Sequence, residues 1–210
     1  MGKGDRIVIQ LYSGTPGSGK SLHVAERVYL SLRYGRTVIC NFDVNLEKIK
    51  KVRGKYIYLD NVDITPEKLM EIGSQHVREY GRKEDSLLLV IDECQILFNS
   101  REWQSGGRAK WLTFFTQHRK FNYEIVLIAQ FDGMIDKQIR SLIEYEVIHR
   151  KVSNFGLVGK IMSLVAVGKL FCAVRMWYPL KERLDAEWFV YRPKYAAIYD
   201  TFGIFSDPNK

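Results

Sequence analysis

The sequence has only three cysteines, Cys40, Cys94 and Cys172, far apart and odd in number. No CxxC pair occurs, so neither a disulfide framework nor a zinc knuckle is readable, and a reducing, cytoplasmic setting is expected. The four histidines, His23, His76, His118 and His149, show no HExxH spacing, which removes the helical zinc-protease pattern. Long apolar runs are also missing. The most apolar late stretch, 157–174, is broken by Lys160 and Lys169. Its uncharged part, 161–168, is far short of the ~20 residues that a membrane span needs. No leader pattern precedes the first strand-like run, so no signal peptide is expected. No internal repeat or low-complexity linker appears either.

What is present is globular. Of 210 residues, 46% are hydrophobic and 27% charged, which excludes a disordered or collagen-like chain. That length suits one large domain or two small ones, and it buries enough surface to fold without a disulfide or metal staple. Thirty-two basic against twenty-four acidic residues leave a net charge of +8. This permits an anionic partner without choosing among nucleic acid, nucleotide and membrane surface.

Hydrophobic periodicity predicts strands at 6–12, 37–42, 56–59, 86–91, 124–129 and 144–152, the last charged and placed at a sheet edge. Helices are predicted over 21–34, from a Thr65 cap with Pro66 behind it to Gly81, and over 108–121 and 134–142. The segment 105–107 reads as flexible. Alternating strands and helices give an α/β fold with a mostly parallel sheet. Residues 1–152 form the expected core. Residues 153–210, with strands at 163–178 and 188–191, form a β-rich extension or connector of the same domain.

The strongest motif is Gly14-Thr15-Pro16-Gly17-Ser18-Gly19-Lys20-Ser21, a full GxxxxGK[ST] phosphate loop (Walker A). It follows a predicted strand and opens a predicted helix. The glycines let the backbone aim several N–H groups at phosphate oxygens, and the helix adds its positive N-terminal end. Lys20 would reach the β- and γ-phosphates of ATP, and the Ser21 hydroxyl would hold Mg²⁺. The apolar strand 87–91 ends in Asp92-Glu93, the Walker B pattern. Asp92 is the expected second Mg²⁺ residue and Glu93 the base for the attacking water. Gln130 closes the next strand and would lie beside the γ-phosphate in the additional-strand class of P-loop ATPases. Transition-state charge usually needs an arginine; the candidates are Arg101, Arg108, Arg119 and Arg140. Trp103, Trp111, Phe114 and Phe115 read as core or subunit packing, and the basic run Lys48, Lys50, Lys51, Arg53 and Lys55 as a solvated face.

From Gly14–Ser21 with its Thr-Pro-Gly-Ser interior, Val38-Ile39-Cys40-Asn41, and Val90-Ile91-Asp92-Glu93-Cys94-Gln95, the chain resembles the ATPase domain of the zonula occludens toxin family, which includes filamentous-phage assembly proteins. His118-Arg119, Ile128-Ala129-Gln130, Ile135-Asp136 and Ile139-Arg140 extend the likeness over roughly residues 6–150. Cys94 departs from the small alanine expected there, with no consequence for catalysis. The resemblance implies an inner-membrane ATPase that drives extrusion of a single-stranded phage genome. It also implies a homo-oligomer, with a hexameric ring as the expected form and sites shared between subunits. Phage DNA or coat protein would be the cargo. Membrane contact would come only through a C-terminal span that this sequence does not carry. Arg119 is the favoured arginine, and catalysis is assigned to Glu93, Gln130, Lys20 and Arg119. A P-loop kinase of a nucleotide or small molecule, and an ATP-dependent interaction module with little turnover, are the alternative functions.

Overall fold

The computed structural model describes residues 8–83, 85–99, 105–156 and 169–199. Its centre is one eight-stranded sheet in the order β3-β2-β4-β5-β1-β6-β7-β8. The strands are β1 (Ile9–Ser13), β2 (Thr37–Cys40), β3 (Tyr56–Tyr58), β4 (Leu87–Ile91), β5 (Tyr123–Ile128), β6 (Tyr145–Lys151), β7 (Leu170–Trp177) and β8 (Glu182–Val190). The first six pair in parallel, and β7 and β8 join as an antiparallel hairpin on β6. The fold is that of a P-loop NTPase of the additional-strand class, because β5 lies between the loop strand β1 and the acidic strand β4.

The central strands are apolar on both faces because both are covered. Alternate residues separate cleanly. Leu87, Leu89 and Ile91 of β4 face one helical layer with Ile125 and Leu127 of β5; Leu88, Val90, Val126 and Ile128 face the other. The first layer holds α2 (Pro66–Tyr80) and α4 (Ser105–Gln117), whose Trp111, Phe114 and Phe115 are buried in the core as predicted. Gly73 of α2 is required there. A Cβ would meet the Phe121 Cβ at 2.6 Å and the Tyr123 ring at 2.9 Å. The second layer is α1 (Lys20–Arg33), which buries the stripe Val24, Ala25, Val28, Tyr29 and Leu32. The described residues also hold three single-turn helices: α3 (Gln95–Phe98), α5 (Lys137–Arg140) and α6 (Pro193–Ala196).

Several expectations are corrected. β6 is an interior strand, hydrogen-bonded to β1 and β7, although its charges suggested an edge. Its buried charge, Glu146, is satisfied: Ser13 Oγ donates to it at 2.7 Å and Lys181 Nζ at 3.0 Å, while Arg150 is exposed. Residues 105–107 are helical, not flexible, with the glycines in the first turn of α4. The helix expected over 134–142 shrinks to α5, because the Asp136 carboxylate caps its start by accepting from Gln138 N at 2.9 Å. Strand β8 begins six residues before the predicted one, in a charged, exposed stretch with no apolar alternation to reveal it. Trp103, Arg101 and residues 157–168 of the predicted extension lie outside the described residues. Among the described residues no helix is long and apolar enough to cross a membrane.

Candidate active site

The phosphate loop leaves β1 between two neighbouring strand ends. The Gly14 N–H donates to the Gln130 carbonyl at 2.9 Å. Gly14 itself has φ +140°, and a Cβ there would fall 2.5 Å from the His149 carbonyl oxygen and 2.7 Å from Ser18 Oγ. Gly19, at φ +99°, caps α1 with no side-chain help. A Cβ on it would strike the Phe171 ring at 2.7 Å. A tight left-handed backbone and close neighbours together explain why these two positions are glycine. Within the loop, Ser18 N donates to Thr15 O at 3.1 Å. The Ser18 hydroxyl is buried and has no protein partner.

Lys20 Nζ donates to the Gly14 carbonyl at 2.5 Å and to Thr15 O at 3.2 Å. Burial lowers its ammonium from the ordinary lysine range, while the nearby Glu93 and Asp92 carboxylates oppose that fall. The lysine and the acidic pair therefore share one electrostatic environment, although they are more than seventy positions apart in the sequence. Ser21 follows in the first turn of α1.

Asp92 and Glu93 leave the end of β4. Asn41, at the end of β2, brackets the Asp92 main chain: its Oδ1 accepts from Asp92 N at 2.7 Å and its Nδ2 donates to Asp92 O at 2.9 Å. Asp92 Oδ1 accepts from Glu93 N at 2.8 Å, and Oδ2 accepts from the Tyr199 hydroxyl. Burial raises the Asp92 carboxyl; the Tyr199 and Glu93 hydrogen bonds pull it back. Glu93 adopts φ +46°, a strained value for a side-chain-bearing residue, and its carboxylate accepts from Gln95 Nε2.

A ring cluster, with Tyr12 and His149 buried and His23, Phe171 and Phe189 half-buried, underlies the loop. His149 Nδ1 donates to Ser13 O at 3.2 Å, which leaves its Nε2 to accept from His23 Nδ1 at 2.9 Å. Tyr12 and Phe189 pack against both imidazoles, and Phe189 stacks on Phe171 at 5.5 Å. Burial depresses both histidines, His149 to about 4.

The structure thus brings Gly14–Ser21, Asp92, Glu93 and Gln130 to the C-terminal ends of β1, β4 and β5. Gln130 contributes its backbone carbonyl to the loop. Arg119 is not among them. It sits before β5, at the other end of the strands, and its guanidinium holds Glu144 at 2.9 and 3.1 Å. Six strand residues at ~3.3 Å each put it about 20 Å from the loop. Arg108, another candidate, lies 3.6 Å from Asp136. Sequence reasoning missed Tyr199 and the His23–His149 pair as supports of the site, and recorded Gln95 only within the motif that carries the likeness. It recorded Asn41 only as part of a likeness. The position of Asn41, directly after a strand beside β4, was the available signal; for Tyr199, 107 positions from Asp92, there was none.

The sequence profile described as Zonular occludens toxin (Zot) matches residues 8–175. The Gene 1 protein of Escherichia phage If1 is 28% identical over 96% of this chain and 60% of its own length. That of Enterobacteria phage fd is 30% identical over 78% of this chain and 49% of its own. The chain spans about half the length of the curated relatives it matches. Among solved structures, the N-terminal domain of zonular occludens toxin from Neisseria meningitidis superposes with a TM-score of 0.57 at 14% identity, over 93% of this chain and all of that one. B204, the DNA-packaging ATPase of Sulfolobus turreted icosahedral virus, gives 0.55 at 14% identity, over 89% of this chain and 97% of its own.

Proposed function

The chain belongs to the zonular occludens toxin family, and from that premise we propose that it is a Mg²⁺-dependent ATP-hydrolysing motor domain. Its work would be filamentous-phage assembly, with export of single-stranded DNA across the inner membrane from the cytoplasmic side. The observation that carries this reading is the shared environment of Lys20, Asp92 and Glu93, placed across β5 from one another beside a phosphate loop. The names of the similar phage and packaging proteins support the biological setting.

The site fits a nucleotide. The loop leads into the N-terminus of α1, where backbone N–H groups would meet phosphate, and the orphaned Ser18 hydroxyl in it is a buried group in need of a partner. Phosphate oxygens would take Lys20 from the Gly14 and Thr15 carbonyls. Ser21 and Asp92 would hold Mg²⁺, which supplies charge neutralisation of the phosphates when bound. Glu93 would accept a proton from the attacking water, and its Gln95 hydrogen bond fixes the carboxylate for that role. Gln130 would orient the same water. Arg119 would reach a nucleotide only from a neighbouring copy, which accords with a homo-oligomeric ring.

The test is ATP turnover with Mg²⁺ across a series of protein concentrations, beside Glu93→Gln. Turnover that rises more steeply than linearly and vanishes in the variant, with nucleotide binding retained, is the expected result. Equal turnover in both proteins would remove Glu93 from catalysis and sink the mechanism.

A further inference from the structure

The metal-holding carboxylate has a partner that neither the motif nor the mechanism uses. Tyr199 comes from the far end of the described chain. Its ring tilts over Phe42 at 4.3 Å, and its backbone forms a β-bridge with Val44. Asn45 N donates to Ile198 O at 3.0 Å. Upstream, Tyr195 is buried edge-on against Tyr29 of α1 at 5.1 Å. The segment Pro193–Tyr199 is thus strapped across α1 and the end of β2, and its last hydroxyl reaches Asp92. Beside the strap lies an open pocket of about 390 Å³, lined by Asp43, Asn45 and residues 196–199.

The contact gives each carboxylate oxygen one donor. One oxygen accepts from Glu93 N–H and the other from Tyr199. Neither Ser21 nor Lys20 hydrogen-bonds to Asp92 among the described residues; Lys20 is turned to the loop carbonyls. A hydrogen bond from a neutral phenol takes acceptor strength and fixes direction, both of which a hydrated divalent cation needs. We propose that Tyr199 is a positioning residue that latches Asp92: its hydroxyl draws on acceptor strength of the carboxylate that a hydrated Mg²⁺ would also need, so metal loading would loosen the carboxy-terminal strap. This rests on the reading of Asp92 as the metal-holding residue. Strap docking and metal occupancy would then each weaken the other by the same factor, as linkage demands.

The test uses Tyr199→Phe, which keeps the ring on Phe42 and removes only the donor. Mg²⁺ is titrated into wild type, Tyr199→Phe and Asp92→Asn in the presence of a non-hydrolysable fluorescent ATP analogue. In parallel, hydrogen exchange of residues 193–199 in wild type is followed with and without Mg²⁺ and the analogue. The half-saturating Mg²⁺ concentration is expected to fall about tenfold in Tyr199→Phe, the scale of one charge-assisted hydrogen bond. Exchange in the strap is expected to rise on loading. An unchanged or higher half-saturating concentration, or a strap equally protected in both states, overturns the latch. If Asp92→Asn binds with unchanged Mg²⁺ dependence, the assignment of Asp92 fails and the latch with it. If that variant loses its Mg²⁺ dependence while Tyr199→Phe matches wild type, the latch alone is overturned. Should Tyr199→Phe fold poorly, hydrogen exchange on the wild-type protein decides.

Discussion

The imidazole pair under the phosphate loop should make the fold sensitive to mild acid. His23 and His149 are joined by one N–H···N bond, and His149 gives its other N–H to Ser13 O. That arrangement uses two neutral rings, so a proton on Nε2 of His149 breaks it. Burial is the main cause that lowers both groups; the Coulombic push of Arg27 on His23 and of Lys20 on His149 acts the same way. His149 falls from 6.5 to about 4. The unfolded chain therefore binds more protons than the native one between those values, and stability must decrease as pH falls through that window. At ~1.36 kcal/mol per pH unit, His149 alone costs about 2 kcal/mol between pH ~7.5 and ~5, and His23 adds a loss of the same sign. The assay is urea unfolding at several pH values in wild type and in a His23→Gln/His149→Gln double variant. The variant is expected to be less stable at neutral pH yet to have a flatter profile from pH ~6.5 to ~5. His76 and His118, also lowered by burial, titrate in both proteins and cancel in the difference. Parallel profiles would refute the argument, because they would mean that neither imidazole stays neutral in the native state.

Glu124 is buried on β5 between Arg27 and Arg36, each bonded to one carboxylate oxygen. Glu124→Gln leaves two half-buried guanidiniums short of charge and should cost about 3–5 kcal/mol, read as a lower urea midpoint with an unchanged slope; a loss under ~1 kcal/mol would show that the pair is solvated in solution. Arg119→Ala breaks a mostly exposed pair with Glu144 and should shift stability by less than ~1 kcal/mol. Its turnover should fall only at protein concentrations where copies associate, and a loss that is independent of concentration would contradict a role across subunits.

How much of this was readable in the chain depends on how local the information is. The helix Pro66–Tyr80 begins at a Thr cap and ends at Gly81 as its sequence predicts, because capping is decided within one turn. The strands β4 and β5 were legible because residues buried on both faces leave an unbroken apolar run. The phosphate loop and the acidic pair carry their chemistry in contiguous residues. Where the reading failed, the deciding contact was distant. The Glu146 charge of β6 looked exposed until Ser13 and Lys181 were found beside it. The strand β8 pairs only with β7 and shows no core-facing alternation of its own. The residues around Arg119 do not reveal that the six residues of β5 separate it from the phosphate loop.

The hairpin beyond β6 is the part whose role changes most when the contacts are followed. By composition it is an appendage to a nucleotide-binding core. By geometry it is one wall of the phosphate loop. Gly14 is gripped between the Gln130 carbonyl of β5's end and the His149 carbonyl of β6. A Cβ on Gly19 would meet Phe171 of β7 at 2.7 Å and Phe189 of β8 at 3.2 Å, so these rings close the loop on that side. The same Phe189 seats His23, which is one turn into the helix that the loop opens. A backbone loop with three left-handed glycines has no rigidity of its own. Its N–H groups can point at one place only if the surroundings hold them there, which is the condition for electrostatic stabilisation without reorganisation. Strand β5 supplies that support on one side and the β6–β7–β8 unit on the other. The carboxy-terminal strap then reaches past both to Asp92, so the phosphate loop and Asp92 are each met by segments distant in sequence, while Glu93 is held by its near neighbour Gln95.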